Sequence, residues 1–347
     1  MHATLLYICI FCRFSSPAAR IIGSAVPSSG RLVFLMSFTL TLISKLCSML
    51  LMAIAGYMVV KAKVFDPAGI RPLSNMVAYV LTPCLIISAF TIDMTPERIH
   101  NFWFCVLFSC AVYAVWILAA RLLRKPLHLD AVDETTLIYS NVGNLILPLI
   151  SMTLGKDMVF YATAIQIPFN LLVWTHGESL ISGQRKFQLK KILTTSNVLA
   201  TLIGIFIMAT GFRFPDFIFT ALSGLGSTVG PLSMMVVGMT IALASLKDVF
   251  TLKKAYKISL LRLIVFPLMV LALLCATGLL RRRPELIPVF QVAFMAMAAP
   301  PAATVSQLAI VYDNKPLEAG IYNIMGVLLC IITIPLMNSL YQTIFPV

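Results

Sequence analysis

The stretch SNVGNLILPLI, residues 140–150, places two asparagines, a glycine and a proline inside an apolar segment. The amides of Asn141 and Asn144 need hydrogen-bond partners, Gly143 weakens a helix, and Pro148 removes a backbone donor. In hydrocarbon such residues are tolerated only where the backbone is buried in protein or lines a water-filled cavity. The stretch therefore predicts an interrupted helix whose break faces an internal site.

The composition of the chain is typical of a membrane protein. Of its 347 residues, 60% are hydrophobic and 11% are charged, whereas about a quarter of the residues in soluble domains are charged. Apolar runs of about 20 residues, the length that crosses a bilayer as a helix, recur along nearly the whole chain. The period-two alternation of a membrane β-barrel is absent. The sequence therefore predicts an all-α polytopic membrane protein.

We predict ten transmembrane spans and no soluble domain. Residues 36–180 are expected to form a first five-helix repeat, 181–194 a cytoplasmic linker, and 195–347 a second five-helix repeat. The predicted spans are 38–60, 72–92, 101–122, 134–154, 157–180, 195–212, 217–246, 256–280, 286–311 and 318–345.

The first 35 residues do not fit this pattern. Their apolar run TLLYICIFC, residues 4–12, is too short to span a bilayer, and its basic residues follow it, unlike those of a signal peptide. Met36 opens the first good span. We predict that translation starts there and that residues 1–35 are a non-native extension or a disordered tail, which N-terminal sequencing would test.

The distribution of basic residues predicts the orientation. The formal net charge is +13. Connections after the odd-numbered spans carry fifteen Lys and Arg residues and those after the even-numbered spans carry six. The positive-inside rule places the odd connections in the cytoplasm and both termini outside it, in a multi-pass protein of the plasma (inner) membrane. The triplet at 281–283 is the one exception. Because these charges lie in short loops, no nucleic-acid partner is expected.

The two halves of the chain resemble each other weakly. Three pairs of residues are each separated by 148 positions: Gly56 and Gly204, Pro67 and Pro215, Pro83 and Pro231. A duplicated unit of five spans enters the membrane in opposite orientations, which makes an inverted repeat. We expect the two glycines to permit close helix approach, and Pro83 and Pro231 to kink scaffold helices.

The inverted repeat predicts a counterpart of 140–150 in span 9. That span reads AFMAMAAPPAATVSQLAIVY, residues 293–312, with two prolines in mid-membrane. Freed backbone groups and helix N-termini at two such breaks favour a carboxylate. The predicted substrate-binding residues are Asn141, Gly143, Asn144, Pro148, Pro300, Pro301, Thr304, Ser306 and Gln307.

Each of these signals also has a purely structural interpretation. The asparagines can join helices by hydrogen bonds, the prolines can be simple kinks, and Ser306 can bond its own helix. Lys45 and Arg262 are expected to extend their charges to the membrane surface. His176 and Glu178 are expected at a solvated helix end, with a proton relay as the alternative.

No metal, cofactor or catalytic residue is expected. Cys9 and Cys12 form a lone CxxC without nearby histidines, and the other cysteines lie mostly in apolar segments. We interpret all eight as small apolar residues.

Several longer segments resemble the auxin efflux carrier family of permeases, which includes bacterial malate and malonate carriers and plant auxin exporters. They begin with GYMVVKAKVFDPAGIRPLSNMVAYVLTPCLIISAF, residues 56–90, and continue with SNVGNLILPL, TTSNVLATLIGI, GPLSMMVVGMTIA and IITIPLMNSL. The resemblance implies two inverted five-span repeats with spans 4 and 9 crossing at the substrate site. It also implies elevator-like motion against a scaffold of spans 1, 2, 6 and 7, usually in a homodimer.

The resemblance also places individual residues. Asn141 and Pro148 match the crossover Asn and Pro of span 4, and Pro300 matches the crossover Pro of span 9. Asn144 stands where the family usually has an aromatic residue and Ile146 where it has glycine, which implies a pocket more polar at 144 and tighter at 146.

The leading functional hypothesis is a secondary active or facilitated transporter of small organic anions, mono- or dicarboxylates. No Walker-type loop is present, so the expected coupling is to a proton or sodium gradient, or there is none. A transport-inactive sensor with the same pocket is the first alternative. An intramembrane enzyme is the second, although the spans contain few of the Asp, Glu and His residues that such an enzyme needs.

Overall fold

The computed structural model of the protein describes residues 28–91, 95–184, 196–243 and 246–346. The chain forms two compact units, Met1–Thr41 and Leu42–Val347. In the first unit the described residues, 28–41, are helical. In the second unit the described residues form helices joined by short turns, with one isolated β-bridge between Ser140 and Pro301.

Helical residues occupy each of the ten predicted spans, and the fourth and ninth helices are each in two pieces. Helix α4b starts as a π-helical turn, Val142–Ile146, and continues as Leu147–Thr153. The other main helices are α1 Ser28–Lys61, α2 Pro67–Ala89, α3 Pro96–Arg124, α4a Ala131–Ile138, α5 Asp157–Ser182, α6 Ser196–Thr210, α7 Asp216–Leu243, α8 Lys253–Thr277, α9a Ile287–Met297, α9b Ala303–Val311 and α10 Pro316–Ile344. Two further short helices are Leu246–Thr251 and Leu279–Arg282.

Six of these helices are long and apolar enough to cross a membrane, namely α2, α3, α5, α7, α8 and α10. Three shorter apolar helical segments are Cys47–Lys61, which is part of α1, Ser196–Thr210, which is α6, and Pro284–Met297, which includes α9a. The described chain is thus all-helical with several membrane-length helices, as expected from composition. The arrangement as ten spans in two inverted repeats stays a prediction.

Two predicted segments fall largely outside the described residues. Residues 1–27 of the predicted N-terminal extension are not described, whereas 28–35 belong to α1. Residues 185–194 of the predicted linker are also outside the described part. Both assignments stay predictions.

Prolines shape three helices in the same way. Each of three π-helical turns ends two residues before a proline: Val77–Leu81 before Pro83, Val142–Ile146 before Pro148, and Leu261–Val265 before Pro267. A proline cannot donate to the carbonyl four residues earlier and its ring crowds that carbonyl, so the preceding turn widens. The wider turns carry Gly143 and Arg262 and change the direction in which their neighbours project.

Glycines allow α1 and α7 to touch through their backbones. A β-carbon at Gly56 would collide with the carbonyl oxygen of Met235, and one at Gly238 would collide with that of Ala53. Reciprocal contacts of this kind permit close packing where lipid supplies no hydrophobic driving force between helices. The expectation for Gly56 is confirmed.

The end of α2 packs against three other helices. Gly204 of α6 faces the ring of Phe90, and a β-carbon at that glycine would overlap the ring, which confirms the expectation for Gly204. Phe90 also makes edge-to-face contacts with Phe102 of α3 and Phe160 of α5, with ring centroids 5.7 and 5.1 Å apart. This aromatic cluster connects α2 and α6 to α3 and α5.

Each connection can be numbered by the predicted span that it follows. The ion pairs described below link odd-numbered connections with odd ones and even-numbered connections with even ones. Asp130, before α4a, lies 2.9 Å from Lys254 Nζ and 2.7 Å from Lys315 Nζ, which brings together the connections after predicted spans 3, 7 and 9. Arg98, in the connection after predicted span 2, lies 3.4 Å from Asp157, the first residue after the connection that follows predicted span 4. Neither of these sets of ion pairs mixes odd and even connections.

The α1–α7 contact predicts a strong effect of one methyl group. Gly238→Ala is expected to cost about 1–3 kcal/mol because the added β-carbon forces two backbones apart. A β-carbon at Gly224, in the same helix, would meet no atom of a neighbouring element within 4 Å, so Gly224→Ala is the control. Thermal unfolding in detergent should show a lower midpoint for Gly238→Ala alone, and equal midpoints would contradict the close contact.

The cluster at Asp130 predicts pH-dependent stability. Burial raises the pKa of Asp130, but hydrogen bonds from Lys315 and Lys254 outweigh that effect and hold the pKa below its ordinary value. Asp130→Asn keeps a capping side chain for the Val132 and Asp133 amides and removes only the charge. We expect a loss of about 1–2 kcal/mol at pH 7 after allowance for solvent screening.

Because the folded-state pKa is lowered, this stabilisation is present above the unfolded-state pKa of about 4 and is lost as the pH falls. The difference in unfolding midpoint between wild type and Asp130→Asn should shrink from pH 7 towards pH 3. Glu285→Gln, at an exposed position, is the control. Its unfolding midpoint should equal that of the wild type at both ends of this pH range. A constant difference across this range would contradict the charge effect.

Candidate functional site

The interruptions of the fourth and ninth helices meet each other. Ser140 and Pro301 form an antiparallel β-bridge. The backbone N–H of Asn141 donates to the Pro300 carbonyl at 2.8 Å, and the backbone N–H of Ala302 donates to the Tyr139 carbonyl at 2.9 Å. The two breaks thus satisfy part of each other's backbone hydrogen bonding, and we call residues 139–142 and 298–303 the crossing.

Side chains from three other helices add hydrogen bonds to the two breaks. Arg262 of α8 donates to the carbonyls of Leu137 and Met297, at the C-terminal ends of α4a and α9a, at 3.3 and 3.2 Å. Asn323 of α10 donates to the Pro301 carbonyl at 3.0 Å. The Tyr113 hydroxyl of α3 lies 3.3 Å from the Ser140 hydroxyl.

The expectation that Arg262 reaches the membrane surface is wrong. Its side chain is 0% exposed, and its guanidinium carbon lies 4.7 Å from the ring centroid of Trp116. The charge is therefore enclosed by α3, α4a, α8 and α9a. Lys45, the other cation named with it, has a side chain outside the described part of the chain.

The N-terminal ends of the half-helices are arranged differently from the C-terminal ends. Helix α9b begins after Ala302, which makes no side-chain capping hydrogen bond, and α4b begins at Val142 directly after the bridge. Helix N-termini carry about half a positive charge. The crossing thus combines C-terminal ends that face a cation with N-terminal ends that have no acidic residue in their first turn.

Most of the predicted site residues lie in or beside the crossing. Asn141, Pro148, Pro300 and Pro301 are buried, and Gly143 is half-buried. Asn144 belongs to the same π-helical turn as Gly143, but its side chain is outside the described part. The geometry brings together the breaks from which the sequence predicted the site.

The predicted residues of α9b have different environments. Thr304 is half-buried in the first turn of α9b. The Ser306 hydroxyl donates to the Ala319 carbonyl of α10 at 3.0 Å, and Gln307 is exposed. Ser306 therefore joins two helices, and Gln307 is not enclosed with the prolines.

Gln166 of α5 is a candidate that the sequence reasoning missed. It is 3% exposed, and its Oε1 finds no hydrogen-bond partner among the described residues. A β-carbon at Gly143 would lie 3.1 Å from its Nε2. A buried polar atom without a partner is costly, and its place beside Gly143 makes Gln166 a candidate for contact with a ligand or water. The sequence did contain a signal for this residue, because a glutamine lies in the middle of the predicted span 157–180.

Arg262 and Asn323 were also missed as parts of the crossing. The signal for Arg262 was a charge five residues before Pro267 inside an apolar span, because an ionisable residue in a membrane helix usually faces the protein interior. For Asn323 no pattern distinguishes it from other polar residues near a helix end.

The solvated helix end expected at His176 and Glu178 is wrong for Glu178. That side chain is 2% exposed and accepts a short hydrogen bond from the Tyr312 hydroxyl. His176 is half-buried, and its Nδ1 lies 3.0 Å from the hydroxyl of Tyr139, a residue of the crossing. The end of α5 is therefore packed against both interrupted helices.

Comparison with curated proteins gives no match. The family model described as "Membrane transport protein" matches the chain twice, over residues 41–191 and over residues 184–338. Together these matches cover most of the chain, and the helices long enough to cross a membrane lie within or overlap them. The chain therefore belongs to this membrane transport protein family, that of the auxin efflux carriers, and is a multi-pass membrane protein.

Proposed function

We propose that the protein carries small organic anions, mono- or dicarboxylates, across the plasma membrane by elevator-like alternating access. The observation that supports this most directly is the crossing, in which two interrupted helices are hydrogen-bonded to each other and buried. Interrupted helices that meet inside a membrane protein mark the substrate sites of many secondary transporters.

The chemistry of the crossing favours an anion. The N-terminal ends of α4b and α9b provide partial positive charge and backbone N–H donors. Amide groups at Asn141, Asn144 and Gln166 can donate hydrogen bonds to carboxylate oxygens. The buried Oε1 of Gln166 has no hydrogen-bond partner among the described residues and can accept one, so it suits a substrate with a hydroxyl or N–H group beside its carboxylate.

The topology we propose has ten spans in two inverted repeats of five. Helical residues in all ten predicted spans support it. The ion pairs also support it, because Asp130, Lys254 and Lys315 belong to odd connections, whereas Arg98 belongs to an even one and Asp157 directly follows another. Single crossings by every span give this separation, and the charge distribution then assigns the odd side to the cytoplasm.

In the proposed mechanism, helices α1, α2, α6 and α7 form the scaffold and the crossing moves with the other helices. The glycine-mediated contact of α1 with α7 suits a rigid scaffold. Pro148 of α4b lies close to Gly230 of α7, where a β-carbon on the glycine would be 3.3 Å from the proline Cβ. We place the sliding surface there, in a homodimer driven by a proton or sodium gradient or by the substrate gradient alone.

Removal of the asparagine amides in and beside the crossing tests the substrate site. In liposomes, labelled malate, malonate and an indole acid should show saturable flux that falls at least about tenfold in Asn141→Ala and Asn144→Ala, because carboxylate hydrogen bonds are lost. Asn101→Ala is the control, since Asn101 is as buried as Asn141, with 6% exposure for both, and lies outside the crossing. Binding without flux under any ion gradient would instead indicate a sensor, and conversion to a new compound an enzyme.

Pro300 tests the contribution of α9. Pro300→Ala should leave the protein folded but reduce flux, because residue 300 loses its fixed φ and holds the bridge to Asn141 less rigidly, while Pro301 still interrupts the helix. Pro335→Ala, at a buried proline inside α10, should leave flux within about twofold of wild type. Flux should be normalised to folded protein measured by size-exclusion chromatography. Normal flux in Pro300→Ala would remove span 9 from the proposed site.

A further inference from the structure

Arg262 is a fully buried cation without a carboxylate partner in the described part of the chain. Its side chain is 0% exposed, and the groups that accept its hydrogen bonds are the carbonyls of Leu137 and Met297. A buried charge is tolerated only where opposite charge or hydrogen bonds compensate for the lost water. The compensation here must come chiefly from the ends of the two half-helices.

The charges of these ends match that of one guanidinium. Each helix C-terminus carries about half a negative charge from its unpaired carbonyls. Helices α4a and α9a both end at Arg262, so together they present about one negative charge. The planar guanidinium has several N–H donors in a fixed fork and can reach two carbonyls at once, which a single ammonium group does less well.

The surroundings of Arg262 fix its direction. It lies in the π-helical turn Leu261–Val265 that precedes Pro267. The indole of Trp116 lies against the guanidinium, and the indole N–H donates to the Phe266 carbonyl at 3.3 Å, one turn further along α8. The aromatic face favours the cation, and the indole is itself held by the helix that carries the arginine. The guanidinium is thus held in place before any substrate binds.

We propose that Arg262 is a positioning residue that couples the two interrupted helices. One fixed cation neutralises both C-terminal ends, holds the ends at one place, and leaves the positive ends of α4b and α9b to determine the charge that the substrate meets. Arg262 thereby provides, as a fixed side chain, the positive charge that a dissolved cation would otherwise have to bring to these carbonyls. The effect on substrate rests on the proposed function, whereas the coupling of the two helices does not.

Hydrogen–deuterium exchange tests the coupling without any substrate. In detergent, Arg262→Met should raise exchange about tenfold or more in peptides covering 136–142 and, to a similar extent, in peptides covering 296–303. Arg262→Lys keeps the charge and should raise both by less. Arg71→Met, at an exposed arginine, is the control and should change neither. An increase in one segment alone, or in neither, would overturn the coupling.

Flux measurements test the electrostatic part. Arg262→Lys should raise the KM for the transported anion about tenfold and change the maximal rate per folded carrier by less, because the positive ends are displaced from the anion. In Arg262→Gly, guanidinium chloride at tens of millimolar should lower the KM, and sodium chloride at equal concentration should not. A KM that sodium chloride lowers as much as guanidinium chloride does, or that neither salt lowers, would overturn the requirement for a planar donor.

The two arms separate failure of this inference from failure of the proposed function. If wild type transports none of the anions tested, the proposed function fails, and exchange in the two segments still decides the coupling. If the wild type transports an anion, and Arg262→Lys and Arg262→Met show the same KM for it, the electrostatic role of Arg262 is rejected. The proposed transport function is then unaffected. If Arg262→Met does not fold, exchange in Arg262→Lys decides.

Discussion

A backbone N–H or C=O group that is buried without a partner costs several kcal/mol in hydrocarbon, and this constraint determines the centre of the structure. Two helices that end inside the protein expose many such groups at once. Here each break supplies partners for the other, through Asn141 to Pro300 and Ala302 to Tyr139. The carbonyls of Leu137, Met297 and Pro301 accept from Arg262 and Asn323. Each break therefore depends on the other, and on side chains of neighbouring helices, for part of its hydrogen bonding.

The same hydrogen bonds make the crossing electrically asymmetric. A cation occupies the C-terminal ends of α4a and α9a, whereas Ala302 leaves the N-terminus of α9b without a side-chain cap. Because helix ends carry opposite partial charges, neutralising one pair leaves the other pair to act on a ligand. This asymmetry links the proposed anion specificity to the backbone itself. It also explains how the buried charge of Arg262 is accommodated although no carboxylate in the described part of the chain pairs with it.

Around the crossing, the packing differs between groups of helices. Helices α1 and α7 touch through backbone atoms at Gly56 and Gly238, whereas α2 meets α3 and α5 through the rings of Phe90, Phe102 and Phe160. Backbone contact without intervening side chains leaves little room for sliding, and an aromatic surface can be repacked. In the elevator proposal, the backbone contact between α1 and α7 lies within the rigid scaffold. The aromatic contact lies between the scaffold helix α2 and the moving helices α3 and α5.

Much of this architecture follows from the sequence, and the reason is local. Hydropathy places the helices because each apolar run must fill one bilayer thickness, and prolines at 148, 300 and 301 mark the breaks because proline cannot continue a backbone hydrogen-bond ladder. Glycines 56 and 204 indicated close contacts for the same kind of reason. Pairing between the breaks, the enclosure of Arg262 and the position of Gln166 beside Gly143 depend on residues far apart in the chain. Local periodicity carries no information about such partners, so a charge in mid-span looked like one near the membrane surface until the tertiary structure placed two helix ends beside it.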